Sequence, residues 1–426
     1  MYSKKKMAAW CVYDWANSAF ATVILTFVFS VYFGRGVVGD ETLGASYWSY
    51  AVAVSAIFIA VLGPLTGAIA DGTKRLKRAL ILLTCLCAGF TAMLWFATPT
   101  GGLGVILFVL GMLVLANVTF ELSLVIYNSM LGAIAPPSSW GRMSGWAWGL
   151  GYMGGLVCLV IVLLGLVGLG ETPPFLSLPQ ENSEHVRASA LLVAGWIIVF
   201  SLPMFLLFKD PPKQAKVKTK KSLVKAGFAD LWQTLKSLRA HPHLLRFLIA
   251  SAFYRDGLNT LFAVGGLYAA GVYGMSFQDI LIFAIGLNVT AGLGAFLFSF
   301  VDDRIGSKRT ILIALVALFC FGASTLIVDD KDIFMILALC LGLFIGPAQA
   351  ASRTLAVRLS PPEMAGQTFG LYAFTGKSVS FLGPLCFGLV TAAFDNLRAG
   401  MVVILFFWVV GGLIIWSVKE KRAETI

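Results

Sequence analysis

Charged residues are scarce in this sequence. Only 12% of its 426 residues are Asp, Glu, Lys or Arg, whereas soluble globular proteins carry about 25%. Apolar residues make up 58% of the chain, and Phe alone occurs 33 times. So little charge cannot cover the surface of a soluble domain. The composition excludes that class and indicates a protein that is solvated mostly by lipid.

Patterns that hold metals, disulfides or nucleotides are also lacking. The three His lie in polar segments, and the seven Cys lie within apolar stretches. The run from Gly149 to Gly154 matches G-x-G-x-x-G, but no strand precedes it, so its glycines are interpreted as helix-packing positions. No P-loop occurs in the sequence. We therefore expect no cofactor, no metal site and no ATP-driven transport by this chain.

Twelve stretches are long and apolar enough to cross a bilayer, which takes about 20 residues per helix. The predicted spans are 8–33, 46–70, 79–97, 102–134, 143–169, 188–208, 245–270, 277–300, 309–328, 333–357, 366–393 and 398–417. The predicted fold class is therefore an all-α membrane protein with twelve transmembrane helices. The first apolar run is too long for the core of a signal peptide and contains Asp14, so it is interpreted as the first span.

The basic residues are distributed unevenly between the predicted connections. With the N-terminus inside, the inner segments hold 26 Lys and Arg and the outer segments hold 4, with Arg353 and Arg358 counted among the inner ones. This asymmetry predicts a multi-pass protein of the cell (inner) membrane with both termini cytoplasmic. It also accounts for the net charge of +11, so the expected partner is the lipid bilayer and not nucleic acid.

The longest polar connection separates the first six spans from the last six. We expect an N-terminal half at 1–208, a cytoplasmic linker at 209–244 and a C-terminal half at 245–426. Apolar residues recur at helical spacing within the linker, namely Phe228, Leu231, Trp232, Leu235 and Leu238. An amphipathic helix on the membrane surface and a plain solvated linker both remain open for this segment.

The two halves share three motifs in the same order, and each motif recurs six helices later. Asp-x-x-Asn-[Ser/Thr]-x-Phe begins at Asp14 and again at Asp256. An acidic turn follows helices 2 and 8. A Pro-Pro pair precedes a Gly-x-x-x-Gly-x-x-x-x-x-Gly spacing that begins at Gly141 and again at Gly366. Such parallel repeats indicate two pseudo-symmetric six-helix bundles with the substrate site between them, near the membrane midplane.

The acidic turns resemble the cytoplasmic motif of the major facilitator superfamily, Gly-x-x-x-Asp-Arg-x-Gly-Arg-Lys. The second copy matches at Asp303, Arg304 and Gly306, although Ser299 replaces the leading Gly. The first copy lacks the Arg-x-Gly core. The residues that it keeps are Gly67, Asp71, Lys74 and Arg75. The resemblance implies that both turns have a gating role.

Three further segments are similar to the vacuolar-effluxer branch of that superfamily. They are Tyr13-Asp14-Trp15-Ala16-Asn17-Ser18-Ala19-Phe20, Tyr254-Arg255-Asp256-Gly257 and Gln349-Ala350-Ala351-Ser352-Arg353. That branch includes the autophagy-related vacuolar amino-acid exporter and many bacterial proteins. The resemblance extends over essentially the whole chain. It implies a solute transporter whose central cavity is lined by helices 1 and 7.

Five ionisable residues fall inside predicted spans, where a charge costs about 2.5–3.5 kcal/mol and normally faces a cavity or a partner. They are Asp14, Glu121, Arg255, Asp256 and Lys377. Each aspartate is followed on its own helix face by an amide and a hydroxyl. These are Asn17 and Ser18 after Asp14, and Asn259 and Thr260 after Asp256. We expect both carboxylates to face the central cavity and to bind substrate or a proton, the alternative for Asp14 being solvation of a helix end.

The other three charged residues each leave two interpretations open. Glu121 has no basic residue near it in the sequence, which favours proton coupling, but a structural hydrogen bond fits equally well. Arg255 either pairs with Glu121 or binds a substrate carboxylate. Lys377 either binds substrate or forms an internal ion pair.

The sequence therefore predicts a secondary active transporter of a small polar solute that works by alternating access. Acidic and basic groups in one cavity suit an amino-acid-like zwitterion, with protons as the coupling ion. The sequence determines neither the direction of transport nor the oligomeric state. The alternative is an exporter of drugs or lipophilic metabolites. A membrane-embedded enzyme or a transport-dead receptor fits less well, because the sequence shows neither a His/Asp cluster at a membrane face nor an added sensor domain.

Overall fold

A computed structural model describes residues 2–73, 75–168, 173–176, 178–210 and 238–420. Within these residues the chain forms twelve long helices and no strand. In chain order they are α1 Lys4–Val38, α2 Glu41–Thr73, α3 Leu76–Phe96, α4 Gly102–Ile134, α5 Pro137–Val167, α6 Glu184–Leu207, α7 Pro242–Tyr273, α8 Phe277–Ile305, α9 Ser307–Ile327, α10 Lys331–Leu359, α11 Pro362–Phe394 and α12 Leu397–Trp416.

The helices have the length and composition of membrane spans. Eleven of them contain a stretch that is long and apolar enough to cross a bilayer. The remaining one, α7, is also long, but it carries Arg255 and Asp256 near its middle. Large apolar side chains on the outside of the bundle are exposed, as at Leu206, Leu389 and Leu413. The predicted all-α fold with twelve transmembrane helices is confirmed.

Several predicted boundaries differ from the observed ones. Helix α7 begins at Pro242, inside the segment that was predicted to be linker. Helices α2 and α8 extend far enough to carry Asp71 and Asp303 in their last turns, so these acids do not lie in the following connections. The predicted amphipathic helix falls on residues 211–237, which lie outside the described part of the chain. Leu238–Ala240 forms one 3-10 turn before α7.

Two helices depart from regular α geometry close to the centre of the bundle. Helix α1 is α-helical over Lys4–Ala19 and continues as a π-helix over Phe20–Phe27. Helix α11 consists of two α-helical segments, Ala365–Val379 and Leu382–Phe394. The break in α11 has a physical cause, because Pro384 has no N–H group to bond with the carbonyl of residue 380. Irregular backbone in a membrane protein is typical of positions that line a cavity.

The buried apolar side chains form separate cores in the two halves. One core is built almost entirely from α7–α12, and the others are built from α1–α6. Between the halves, small residues allow close contact of α2 with α11 and of α5 with α8. A Cβ atom at Gly67 would clash with the carbonyl oxygen of Gly366, and one at Gly145 would clash with Ser299. The repeated glycines therefore lie at the boundary between the halves, where helix backbones approach each other.

We call one end of the bundle the terminal face. It carries the α2–α3, α4–α5, α8–α9 and α10–α11 connections, the start of α1 and the end of α12. Met7 of α1 and Leu76 at the start of α3 pack against the same apolar core. Near the other end of the chain, the Glu420 carboxylate accepts hydrogen bonds from the backbone N–H groups of Ser307 and Lys308, at 3.0 and 2.9 Å.

Candidate functional site

A cavity of about 400 Å³ lies between the two halves. Three helices from each half line it, α1, α4 and α5 from the first and α7, α10 and α11 from the second. These are equivalent helices of the two repeats. Seven of the nine predicted site residues are among the lining side chains, namely Asp14, Asn17, Ser18, Glu121, Arg255, Asn259 and Lys377.

Asp14 reaches across the boundary between the halves. Its Oδ2 atom lies 2.8 Å from Nη2 of Arg353 on α10, and the two residues are 6% and 5% exposed. Asp14 is therefore paired and buried, which excludes the alternative that it merely solvates a helix end. Because an ion pair this deep must be desolvated, removing one partner would leave the other charge uncompensated.

Arg353 was predicted to lie in an inner connecting segment, and this prediction is wrong. Helix α10 continues past it to Leu359, so the guanidinium stays inside the bundle and lines the cavity. The rings of Trp10, Tyr127 and Trp148 surround it at 5.3–5.4 Å. Its Nη1 atom has no hydrogen-bond partner within the described residues. The segment Gln349–Arg353, already noted as similar to the effluxer branch, was the one signal that pointed to it.

Glu121 and Lys377 form a second ion pair across the halves. Glu121 Oε1 on α4 lies 2.6 Å from Nζ of Lys377 on α11. The prediction that Glu121 might be unpaired, or paired with Arg255, is thus corrected, because the sequence could not show that α11 packs opposite α4. The side chains of Lys377 and Glu121 keep 29% and 22% of their surface exposed, so this pair is accessible from the cavity.

Arg255 is bound to α11 but not to an acid. Its Nη1 atom donates a hydrogen bond of 3.0 Å to the carbonyl oxygen of Tyr372, and its guanidinium lies 3.9 Å from the centre of the Tyr372 ring. No carboxylate lies within ion-pair distance of it among the residues that the structure describes. Of the three cations that line the cavity within the described residues, Arg255 is therefore the one that an incoming anion can neutralise without breaking an existing ion pair.

Asp256 and Thr260 do not line the cavity, contrary to the prediction. Asp256 is 1% exposed, and its Oδ2 atom accepts a hydrogen bond of 2.8 Å from the backbone N–H of Gly383. Thr260 donates its hydroxyl to the Asp256 carbonyl oxygen. The break in α11 frees N–H groups at the start of the segment Leu382–Phe394, and a carboxylate stabilises such a helix end. Asp256 is thus used to hold the broken helix.

A second cavity of about 430 Å³ adjoins the first on the side away from the terminal face. It lies between α1, α5, α7 and α8 and is lined mainly by apolar side chains such as Leu261, Phe262 and Phe283. The two cavities share Ser18, Ala21, Trp148 and Gly151 as lining residues.

The acidic residues of the two gating motifs hold the halves together at the terminal face. Asp71 accepts backbone hydrogen bonds of 2.8 Å from Gly366 and from Gln367, in the first turn of α11. Asp303 accepts one of 2.8 Å from the backbone of Gly141 and one of 2.7 Å from Nε of Arg142, in the first turn of α5. Each carboxylate therefore stabilises the positive end of a helix in the opposite half.

The other residues of the gating motifs have smaller structural roles. Arg75 and Arg304 are exposed, and Lys74 lies outside the described residues. Gly306 has a φ of +95°, which favours glycine, at the junction between α8 and α9. We call the contacts of Asp71 with α11 and of Asp303 with α5 the two clasps.

Comparisons with known proteins agree with this architecture. The model of a family described as vacuole effluxer Atg22 like matches residues 35–425. An uncharacterized MFS-type transporter of Bacillus subtilis, YxiO, is 26% identical over 426 residues, which cover 99% of this chain and 96% of that protein. The autophagy-related protein 22 of Cryptococcus neoformans is 25% identical over 301 residues, which cover 66% of this chain and 51% of that protein, so the chain matches only about half of this fungal relative.

Solved structures show the same fold. The crystal structure of a major facilitator superfamily transporter, FucP, in the outward conformation aligns with a TM-score of 0.75 at 13% identity. The alignment covers 97% of this chain and 99% of that one. A proton:xylose symporter, XylE, aligns with a TM-score of 0.72, also at 13% identity, over 98% of this chain and 96% of that one.

Proposed function

This chain belongs to the vacuole effluxer Atg22-like family of major facilitator superfamily transporters, and we propose that it carries an amino-acid-like solute in exchange with, or together with, protons. Membership of the family supports secondary transport. The identities of the solute and of the coupling ion are our proposal, and the charged side chains of the central cavity support them.

The charges of the central cavity are the observation that carries the proposal. Two carboxylates and three cations line a space of about 400 Å³, and both halves contribute to each ion pair. Both carboxylates are paired, so Arg255 remains for an anionic group of the solute. A solute with a carboxylate and an ammonium group matches a site that offers both signs of charge in a low-dielectric setting. Asp14 and Glu121 are the carboxylates that are placed to take up a proton.

Alternating access requires that the contacts at the terminal face break while contacts on the other side form. The residues that would separate are the two clasp acids, Asp71 and Asp303, and the Asp14–Arg353 pair. We propose that the terminal face is cytoplasmic in the cell (inner) membrane, because the positive-inside rule assigns that side to the connections rich in Lys and Arg. The structure then corresponds to a state closed to the cytoplasm.

Uptake into proteoliposomes tests the proposal. Purified protein is reconstituted and supplied with a mixture of radiolabelled amino acids, with and without an imposed pH gradient. We expect accumulation that depends on the gradient and disappears with a protonophore. Arg255→Gln should abolish uptake, whereas Arg246→Gln, a matched change near the start of the same helix, should not. Within the described residues, the hydrogen bond that Arg246 donates goes to the carbonyl of Ser417 at the terminal face. If the unaltered protein takes up none of the amino acids, the proposed solute is contradicted. If accumulation is the same with and without the pH gradient, proton coupling is contradicted.

The apolar second cavity favours an alternative, the export of lipophilic metabolites. This cavity of about 430 Å³ adjoins the charged one, and its lining residues that the structure describes include no Asp, Glu, Lys, Arg or His. If this is the function, Leu261→Asn, which makes the wall of that cavity polar, should impair transport more than Arg255→Gln. The reverse order is expected for an amino-acid-like solute.

A further inference from the structure

The ion pair between Glu121 and Lys377 differs in its accessibility from the other cross-half pair that lines the cavity, Asp14 with Arg353. Glu121 and Lys377 expose 22% and 29% of their side chains, whereas Asp14 and Arg353 expose 9% and 6%. Both residues of the accessible pair border the cavity that also contains Arg255. An incoming solute can therefore compete with one member of this pair, whereas Asp14 is buried and Arg353 lies against the rings of Trp10 and Trp148.

We propose that Glu121 recognises the ammonium group of the solute and that Lys377 occupies its place in the empty cavity. This inference rests on the proposed amino-acid-like solute and identifies the residues that select it. When the solute binds, its ammonium group replaces the Nζ atom of Lys377 at the Glu121 carboxylate. Lys377 is then released and, with Arg255, holds the solute carboxylate.

The positions of the two cations make this exchange possible. Arg255 is held against Tyr372 by a hydrogen bond and by ring contact, so its charge lies beside α11. Tyr372 precedes Lys377 by five residues on the same helix, a rise of about 7.5 Å at 1.5 Å per residue. Both cations thus flank one stretch of α11, opposite the single carboxylate of Glu121 on α4. In the bound state every charged group has a neighbour of opposite sign, with Glu121 at the ammonium group and two cations sharing the solute carboxylate.

The exchange also accounts for selectivity against solutes that have only one of the two charges. A carboxylic acid without an amine can reach Arg255, but it cannot replace Lys377 at Glu121, so it gains only part of the interaction. An amine without a carboxylate would displace Lys377 from Glu121, but it would bring no carboxylate with which the released Lys377 could pair. Removing the negative charge at position 121 should abolish this discrimination, because Lys377 then becomes free for an anion in the absence of any ammonium group.

Ligand-induced stabilisation of the purified protein tests the assignment. The probes are alanine, alaninamide and propionate, and beside them phenylalanine, phenylalaninamide and 3-phenylpropionate. Within each set the amide lacks the carboxylate and the acid lacks the ammonium group. We expect the unaltered protein to bind an amino acid about tenfold or more tightly than either single-charge analogue. Glu121→Gln should bind the deaminated acid at least as tightly as the amino acid.

Two controls separate this assignment from a loss of folding and from failure of the proposed solute. Glu363→Gln makes the same chemical change in an exposed residue near the start of α11 and should retain the selectivity of the unaltered protein. Lys377→Gln leaves the Glu121 carboxylate without its cation, so it should disfavour the deaminated acid and keep or widen the preference for the amino acid. If the unaltered protein binds the amino acid and the deaminated acid equally tightly, the role of Glu121 is overturned but the proposed solute is not. Binding of neither amino acid would overturn the proposed solute, and this assignment with it.

Discussion

Replacing Asp14 by Asn removes one charge from the most deeply buried ion pair between the two halves. The Oδ2 atom of Asp14 on α1 lies 2.8 Å from Nη2 of Arg353 on α10. Asn keeps the size of the side chain and a hydrogen-bond acceptor, but it leaves the guanidinium without a counter-ion. We expect this change to destabilise the state that is closed at the terminal face, because only that state buries Arg353 between the halves.

The size of the effect follows from the burial of the pair. Breaking a buried ion pair by removing one partner costs about 3–5 kcal/mol. When the halves separate at the terminal face, water can reach Arg353 and the penalty disappears. Since each 1.4 kcal/mol changes an equilibrium constant about tenfold, the balance between the closed and open states should shift about 100-fold or more towards the open state.

Distances between spin labels at Ser138 and Glu363 measure this balance. Both positions are exposed, and they lie in or beside the α4–α5 and α10–α11 connections, one in each half. The labels are introduced into a variant without its seven native cysteines. Asp14→Asn should lengthen the distance, and adding Arg353→Gln should restore much of the short-distance population, since no charge then remains buried. An unchanged distance distribution in the single variant would refute the assignment of the pair as a lock of the closed state.

Three further changes have distinct expected outcomes. Asp303→Asn weakens the clasp at the first turn of α5 and should slow transport while leaving the equilibrium affinity for the solute within a few-fold. Turnover and binding are measured on the same variant, and a large loss of affinity at unchanged turnover would contradict a gating role. Asp256→Asn retains an acceptor for the N–H that it binds on α11 and should leave uptake close to that of the unaltered protein, unless this carboxylate serves the solute or the proton. Reporter fusions at Leu43, Lys220 and Ile426 should give an external signal at the first site and cytoplasmic signals at the other two, and a cytoplasmic signal at Leu43 or an external one at either other site would overturn the predicted topology.

The fold was predictable from the sequence because lipid imposes simple requirements. A span must be apolar for about 20 residues, and charge must collect in the connections on one side. The repeat then indicated two similar bundles with a site between them. Helix α7 was predicted as the span 245–270 although Arg255 and Asp256 interrupt its apolar pattern, and the helix runs through both residues.

The partners of the charged residues were not predictable in the same way. Periodicity shows which side chains share one helix face, but it carries no information about the helix that packs against that face. Glu121 has no basic neighbour in the sequence, yet Lys377 meets it from the other half of the chain. Arg353 shares α10 with Arg358, five residues later, and the count of basic residues treated both as belonging to a connection although only Arg358 lies near the terminal face.

Asp14 and Asp256 show how two copies of one motif acquire different roles. Each aspartate lies on the first helix of its half, near the helix that is fifth in its half. For Asp14 this neighbour is α5, which is continuous over Trp140–Val162 and has its backbone N–H groups bonded within the helix. For Asp256 the neighbour is α11, whose break at Pro384 leaves the N–H of Gly383 to be bonded by a carboxylate. Asp14, without such a donor on α5, is free to pair with Arg353 in the opposite half. One break in one helix is therefore enough to make the second copy of the motif an internal support and to leave the first copy as the link between the halves.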